Sequence, residues 1–203
     1  MLRKELFRGI AAGVMIGIGG AVYLSCANKY IGAILFSVAL LTICFLSFSL
    51  FTGKVGFIVE DRSKDNILGT LICLLGNFIG TGFCAMLVYL SNPKLSETAH
   101  IMCEEKLGKS FGEVICGAVL CGVLMFVAVK TYRVKNTVAG ILFCVPVFIL
   151  SGFEHSIADM FYFWISGIYT AEVLMFIALV ILGNAVGGCL LPVLIALSGG
   201  KDK

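Results

Sequence analysis

The apolar positions of this chain run in long unbroken blocks, not in the two-residue alternation of half-buried strands. Six blocks stand out, at about residues 6–27, 31–53, 67–91, 110–132, 137–165 and 171–198. Each reaches the length of about 20 residues that a helix needs to cross a bilayer. Backbone in lipid must satisfy its own hydrogen bonds, which leaves helices or closed barrels, and blocks without alternation mean helices. The expected fold is an all-α integral membrane protein of six transmembrane helices, with residues 1–203 forming a single membrane domain. Most connections are short. The longest, residues 91–109, collects most of the polar residues between the third and fourth blocks and reads as a loop.

Two of the blocks are interrupted, at matching places. The second contains Ser49, Thr52 and Lys54, and the fifth contains Ser151, Glu154, His155, Ser156 and Asp159. Pro146, upstream of the second interruption, favours a kink there. The third and sixth blocks share a pattern of Gly-Asn-x-(Ile or Val)-Gly, as Gly76-Asn77-Phe78-Ile79-Gly80 and Gly183-Asn184-Ala185-Val186-Gly187. The echoes divide the chain into two repeats, about 6–91 and about 110–198. Each holds three spans, an odd number, so the halves insert in opposite directions, and paired interruptions in such repeats point to a site near the midplane.

Composition narrows the class. Hydrophobic residues make up 60% of the chain and charged residues 13%, against about 25% charged in soluble domains. No basic run is dense enough for a nucleic-acid partner; the surroundings expected are a lipid bilayer. The apolar stretch after the basic N-terminus, Gly9 to Ala27, exceeds a signal-peptide core, which predicts an uncleaved first span. Arg3, Lys4, Arg8, Lys54, Arg62, Lys64, Lys130, Arg133, Lys135, Lys201 and Lys203 fall on the N-terminal side of the membrane, against Lys29, Lys94, Lys106 and Lys109 on the other. That asymmetry predicts both termini in the cytoplasm of a multi-pass plasma-membrane protein. Tyr23, Tyr30, Tyr89, Tyr162, Trp164 and Tyr169 fall near the outer ends, as interface aromatics do.

Ionisable residues inside a span are costly and face a cavity or a partner. Glu154, His155 and Asp159 therefore form the candidate centre; the alternative is that they mark the end of a shorter fifth span. Gly9, Gly13 and Gly17 form GxxxGxxxG, the spacing of close helix packing within or between subunits, and Asn77 and Asn184 are grouped with them as packing positions. Nine cysteines include no CxxC pair; eight lie in apolar blocks and Cys103 in the loop. His100 and His155 are the two histidines, and no HExxH motif occurs. No metal site, no cofactor and no enzymatic activity is expected.

Leu50-Phe51-Thr52-Gly53, followed by Ser151-Gly152-Phe153-Glu154-His155-Ser156-Ile157-Ala158 and by Gly183-Asn184-Ala185-Val186-Gly187-Gly188, resembles the formate/nitrite transporter family over nearly all the chain. The resemblance implies an aquaporin-like protomer, a homopentamer, and one anion pore through each subunit. It implies that Thr52 sits on the break of the second helix opposite His155, that Phe36 and Phe148 form an outer constriction, that Leu40 joins an inner one, and that Lys106 is an outer-vestibule lysine. Where the family often has asparagine, this chain has Gly122 and Asp159; Gly122 is expected to widen or depolarise the inner side of the pore.

The function expected is a channel or transporter for small monovalent anions, formate or nitrite first, with hydrosulfide, acetate or lactate as alternatives of the same fold. His155, titrating near physiological pH, would donate a hydrogen bond or proton to a weak-acid anion. A water or neutral-solute channel is the more distant alternative; the Asn-Pro-Ala repeats of aquaporins do not occur.

Overall fold

The computed structural model describes residues 2–199, so Lys201 and Lys203 of the charge count lie outside the described residues. The described chain is a helical bundle: α1 Leu2–Ser25, α2 Lys29–Phe45, α3 Phe51–Lys54 running into a 3-10 turn at Val55–Ile58, α4 Lys64–Ser91, α5 Lys94–Leu107, α6 Phe111–Lys135, α7 Ala139–Leu150, α8 Ser156–Ser166 and α9 Ala171–Leu197. Four of these, α1, α4, α6 and α9, are long and apolar enough to cross a membrane; α2 and α7 are shorter apolar helices. Many large apolar side chains of the long helices point outward, among them Leu71, Leu75, Leu174, Leu182 and Val186. The outer surface is thus the kind that water disfavours and lipid accepts.

Helix starts follow local chemistry. Asn28 accepts from the amides of Tyr30 and Ile31, Ser63 from Asn66 and Thr170 from Val173; Ser110 and Glu113 form a reciprocal capping box. Asn136 (φ +50°) ends α6 in the left-handed conformation, and Gly167 (φ +75°) ends α8 the same way.

The second and fifth predicted spans are each two pieces. Residues 46–50 separate α2 from α3, and residues 151–155 separate α7 from α8. Both breaks turn through a left-handed residue, Ser47 (φ +54°) in the first and Gly152 (φ +66°) in the second.

An asparagine secures each break. Asn77 of α4 is fully buried; its Oδ1 accepts from the amide of Phe51, the first residue of α3 (2.9 Å), and its Nδ2 donates to the carbonyls of Gly9 (2.8 Å) and Ser49 (2.9 Å). Asn184 of α9, also fully buried, accepts from the amide of Ser156, the first residue of α8 (2.9 Å), and donates to the carbonyls of Ala118 (2.8 Å) and Glu154 (2.9 Å). Each side chain ties a packing helix, a break and a half-helix into one unit.

These ties need close helices, and glycine supplies the closeness. A Cβ on Gly9 would stand 2.7 Å from the Cys73 carbonyl of α4, and one on Gly13 would stand 2.9 Å from the Thr81 amide nitrogen. The GxxxGxxxG stripe therefore seats α1 on α4 within the subunit, with Gly17 against Cys84 and Phe161. Gly122 belongs to the equivalent contact of α6 with α9. A Cβ there would meet the Asn184 carbonyl and stand 2.8 Å from the Gly188 amide nitrogen. This corrects the expectation that Gly122 widens a pore: the position faces a neighbouring backbone, and its lack of a side chain serves helix approach.

The stretch expected to be a loop is also different. Residues 94–107 form α5, whose buried Leu95, Ala99 and Cys103 recur every four residues on one face. Ser96 Oγ donates to the Ile165 carbonyl (2.8 Å) and His100 Nδ1 lies 3.1 Å from the Ser166 carbonyl, so α5 docks on α8. Cys103, expected in a loop, is fully buried in that helix.

Replacing Asn77 or Asn184 by Ala leaves one buried amide and two carbonyls without the partner described, at about 1–3 kcal/mol for each group left unsatisfied. Each variant is expected to melt well below the wild type in detergent, and a melting temperature within a degree or so of wild type would show that the breaks hold without these side chains.

Candidate functional site

Cavities open at opposite ends of the bundle. The first, about 460 Å³, is lined by Tyr23 and Lys29 at the end of α1 and start of α2, by Glu105, Lys106 and Lys109, and deeper by Phe36, Phe148, His155 and Asp159. The second, about 290 Å³, is lined by Glu5, Arg8, Lys54, Tyr132 and Arg133, and deeper by Leu40, Ser49, Leu50 and Gly53. They share no lining residue. Arg8 and Tyr23 are 15 residues apart on one helix, which at about 1.5 Å per residue separates the two mouths by some 20 Å or more.

Between the cavities lie the breaks. Thr52 Oγ1 and His155 Nε2 are 2.9 Å apart, and both residues are buried. His155 lines the first cavity, while Leu50 and Gly53, on either side of the Phe51–Thr52 pair, line the second. His155 is the N-cap of α8: its Nδ1 accepts from the Ala158 amide (3.1 Å). That bond fixes the neutral tautomer, since a nitrogen that accepts carries no hydrogen. Nε2 then carries the hydrogen and donates to Thr52 Oγ1. Protonating Nδ1 would set two N–H groups against each other, so the ring is held as a neutral donor, which departs from the expectation of a titrating centre. Phe148 stacks on the imidazole (5.4 Å between centroids, 20° between planes) and meets Phe36 edge to face (6.2 Å). Phe36 and Phe148 thus form an aromatic pair beside His155. Leu40, one turn along α2 from Phe36, is buried at the second cavity.

Above His155 lies a charged cluster. Lys106 is only 14% exposed in its side chain; its Nζ pairs with Glu154 Oε2 and, at 2.9 Å, with Asp159 Oδ1. Lys109 Nζ donates to Glu154 Oε1 (2.5 Å) and to the Gly152 carbonyl (3.2 Å). Burial opposes the Lys106 charge, but the carboxylates of Asp159 and Glu154 outweigh it and hold the ammonium above its ordinary range. Lys106 is therefore charged at any working pH. In place of the surface lysine that a polar loop implies, Lys106 is an ion-paired side chain at the end of α5. Tyr162, expected at a membrane interface, is buried and lines the same cavity.

Sequence reasoning passes over Lys109 and the second cavity. There Lys54 Nζ donates to Glu5 Oε2 (2.7 Å), as does Ser49 Oγ (2.8 Å), and the Arg133 guanidinium lies over Phe57, 4.0 Å from the ring centroid. In the sequence, Arg8 and Arg133 stand out only as topology charges, and Lys54 as one of these and as part of the interruption in the second block. No group of three or more His, Cys, Asp or Glu side chains that could hold a metal ion occurs among the described residues.

The family model described as formate/nitrite transporter matches residues 1–198. The chain belongs to the formate/nitrite transporter family. Among relatives, the formate channel FocA of Escherichia coli (strain K12) is 27% identical over 183 residues, covering 78% of this chain and 64% of FocA. Formate-nitrite transporter 3 of Toxoplasma gondii is 26% identical over 215 residues, covering 91% of this chain and 43% of the relative. The chain thus spans under two thirds of the length of these relatives, which are channels and transporters rather than enzymes. In structure it is similar to a pentameric formate channel with formate bound (TM-score 0.84, 21% identity, 97% of this chain and 96% of the other). It is also similar to an FNT family ion channel (TM-score 0.82, 22% identity, 98% and 90%). These likenesses show that the fold is that of formate/nitrite transporter channels, and the chain is a multi-pass membrane protein of that family.

The ion pairs change what a family lysine variant would do here. Lys106→Glu would crowd three carboxylates into one buried cluster, and breaking a buried pair by removing one partner costs about 3–5 kcal/mol. The variant is expected to lose thermal stability or to fail to fold in detergent, and adding Asp159→Asn should recover part of the loss. A Lys106→Glu protein as stable as wild type would mean that the cluster carries no structural weight.

Proposed function

We propose that this protein is a channel or transporter for small monovalent anions, with formate or nitrite as the first candidates, and that the route runs from the first cavity past the Thr52–His155 pair into the second. The observation that carries this reading is that pair: a buried threonine hydroxyl and an imidazole meet where two breaks bring polar backbone to the centre of an apolar bundle. Non-helical backbone at membrane depth is tolerated where it is buried in protein or lines a cavity. The N-terminus of α8 begins at His155, and a helix N-terminus favours negative charge.

In this reading α2 with α3, and α7 with α8, count as one broken span each. The chain then has six spans in two inverted repeats of an aquaporin-like protomer, one membrane domain with both termini in the cytoplasm of a cell membrane. The repeated roles of Asn77 and Asn184 support the repeat. The likeness to the pentameric formate channel supports a homopentamer.

The residues divide the work by chemistry. Lys106 and Lys109 hold positive charge at the outer mouth. Phe36 and Phe148 on one side and Leu40 on the other narrow the path, so that a hydrated ion has to shed water to pass, which is unfavourable for a bare charge. His155, as a fixed neutral donor through Nε2, and Thr52 offer hydrogen bonds that replace part of that water. A substrate oxyanion takes the place of the Thr52–His155 bond, and Phe148 keeps the ring aimed.

Purified protein in a planar bilayer under a formate gradient should give a reversal potential set by the anion. Proteoliposomes should swell in ammonium formate and behave like empty vesicles in sorbitol. His155→Ala and Thr52→Val should each lower formate flux by an order of magnitude or more, as expected when about 1.4 kcal/mol or more of stabilisation is lost. Flux of sorbitol or water alone would favour the neutral-solute alternative. Hydrosulfide, acetate or lactate flux exceeding that of formate and nitrite would move the substrate within the same fold.

A further inference from the structure

Cations from three elements converge on the second cavity: Arg8 of α1, Lys54 of α3 and Arg133 near the end of α6. Among the described residues, Glu5 is the one carboxylate in its lining. It takes both Lys54 and the Ser49 hydroxyl on a single oxygen, Oε2, at 2.7 and 2.8 Å. No carboxylate among the described residues pairs with the guanidinium of Arg8 or Arg133. Glu60, which acts on Arg133 from outside the lining, is engaged by Lys130 at 3.0 Å. The lining therefore carries a surplus of two positive charges. The first cavity is balanced by comparison: Lys29, Lys106 and Lys109 there face Glu105 and Asp159, with Glu154 behind them.

The two arginines are placed to use that surplus. The Arg133 guanidinium lies over the Phe57 ring, 4.0 Å from its centroid, a contact made by its face. The N–H groups around the edge of the fork stay available to an acceptor. Arg8 is half-buried, and its own carbonyl accepts from the Ser49 amide (3.2 Å), which fixes that turn of α1 against the first break. Ser47 and Tyr132 add hydroxyls to the lining. Forked guanidinium donors match the oxygens of a tetrahedral oxyanion two at a time. Deeper in, the walls change character: Leu40, Ile43 and Leu50 are apolar and buried. An ion going further has to shed its water there, and that cost grows with the square of the charge, about fourfold for a dianion over a monoanion.

We propose that the second cavity is a binding site for a small divalent oxyanion of the hydrogen phosphate or sulfate class, which occupies it without passing and blocks the route for monovalent anions. Two surplus charges at the mouth favour an ion of charge minus two, and the apolar depth turns that same ion back. The block rests on the anion-channel reading above; the binding does not. Arg8 and Arg133 grip the oxygens, and Lys54, already shared with Glu5, adds charge from the break. Flux of a monovalent anion then falls as the dianion concentration on that side rises.

Binding and block are measured separately, at pH 8, with gluconate at equal ionic strength as the control for screening. In detergent, millimolar phosphate or sulfate should raise the melting temperature of wild type above that in gluconate, since a ligand of the folded state stabilises it. Arg8→Gln and Arg133→Gln should lose most of that rise, and Lys29→Gln, at the first cavity, should keep it. In planar bilayers of phosphatidylcholine holding channels of one orientation, phosphate or sulfate on one face should lower the formate current several-fold, and on the other face should leave it unchanged. The two arginine variants should lose most of the block, read as the ratio of currents with and without phosphate. Wild type neither stabilised nor blocked, or blocked equally in both arginine variants, overturns the inference and leaves the channel reading standing. A phosphate or sulfate current through wild type overturns it as well, since the ion then passes. Block that appears without phosphate in phosphatidylglycerol bilayers, with none from phosphate in phosphatidylcholine, assigns the arginines to a lipid headgroup and also overturns it. Formate current no greater than in a bare bilayer overturns the channel reading; stabilisation by phosphate that the arginine variants lose would still establish the binding site. The wild-type melting comparison needs no variant, so it decides the binding even if a substituted protein does not fold.

Discussion

Two buried asparagine side chains hold this structure open at its centre. A chain this apolar gains by running its helices straight through, because every break exposes amides and carbonyls to surroundings that cannot satisfy them. Asn77 and Asn184 remove that penalty with three hydrogen bonds to backbone each, one accepted from the first amide of a half-helix and two donated to neighbouring carbonyls. Everything polar at the centre depends on them. Thr52 follows the amide that Asn77 holds, and His155 lies between the carbonyl and the amide that Asn184 holds. The 2.9 Å approach of Thr52 to His155 is thus set by two side chains from α4 and α9 that touch neither group.

The second constraint is electrostatic, and it differs at the two ends. At the first cavity, Lys106 and Lys109 are locked to Glu154 and Asp159, so positive charge is present but largely matched. At the second, Glu5 is shared by Lys54 and Ser49, while Arg133 rests on Phe57. An arginine is charged at any working pH, and its flat guanidinium stacks favourably on an aromatic face. The two cavities therefore carry different fields, one balanced by buried carboxylates and one where an arginine lies on an aromatic face instead.

Much of this is legible in the residues. The apolar blocks locate all the long helices, the polar residues at 49–54 and 151–156 locate the breaks, and the Gly-Asn echo locates the side chains that secure them. The echo does not disclose what those side chains do. Read as packing positions, Asn77 and Asn184 look like companions of the glycines, because partners 26 and 28 residues away cannot be inferred from spacing. Gly122 misleads for a related reason. A missing side chain looks the same in a sequence whether it widens a passage or admits a neighbouring backbone. Residues 91–109 look like a loop because their polarity hides the four-residue spacing of Leu95, Ala99 and Cys103. Once α5 is seen as a helix docked on α8, Lys106 is necessarily carried down onto Glu154 and Asp159. The neutral state of His155 turns on a bond to Ala158, three residues on, which a break makes possible and a continuous helix would not.

The central claim is that the Thr52–His155 pair is where a small oxyanion is held between the two cavities. Solid-state NMR on the reconstituted protein, with 13C-formate and 15N-labelled histidine, measures this directly through the dipolar coupling between the bound carbon and the imidazole nitrogens. The account predicts a close contact from formate to Nε2 of His155, lost on replacing Thr52 or His155 and absent for His100. Formate coupled only to lysine nitrogens at the outer mouth, with no transfer to His155 at saturating concentration, would contradict it.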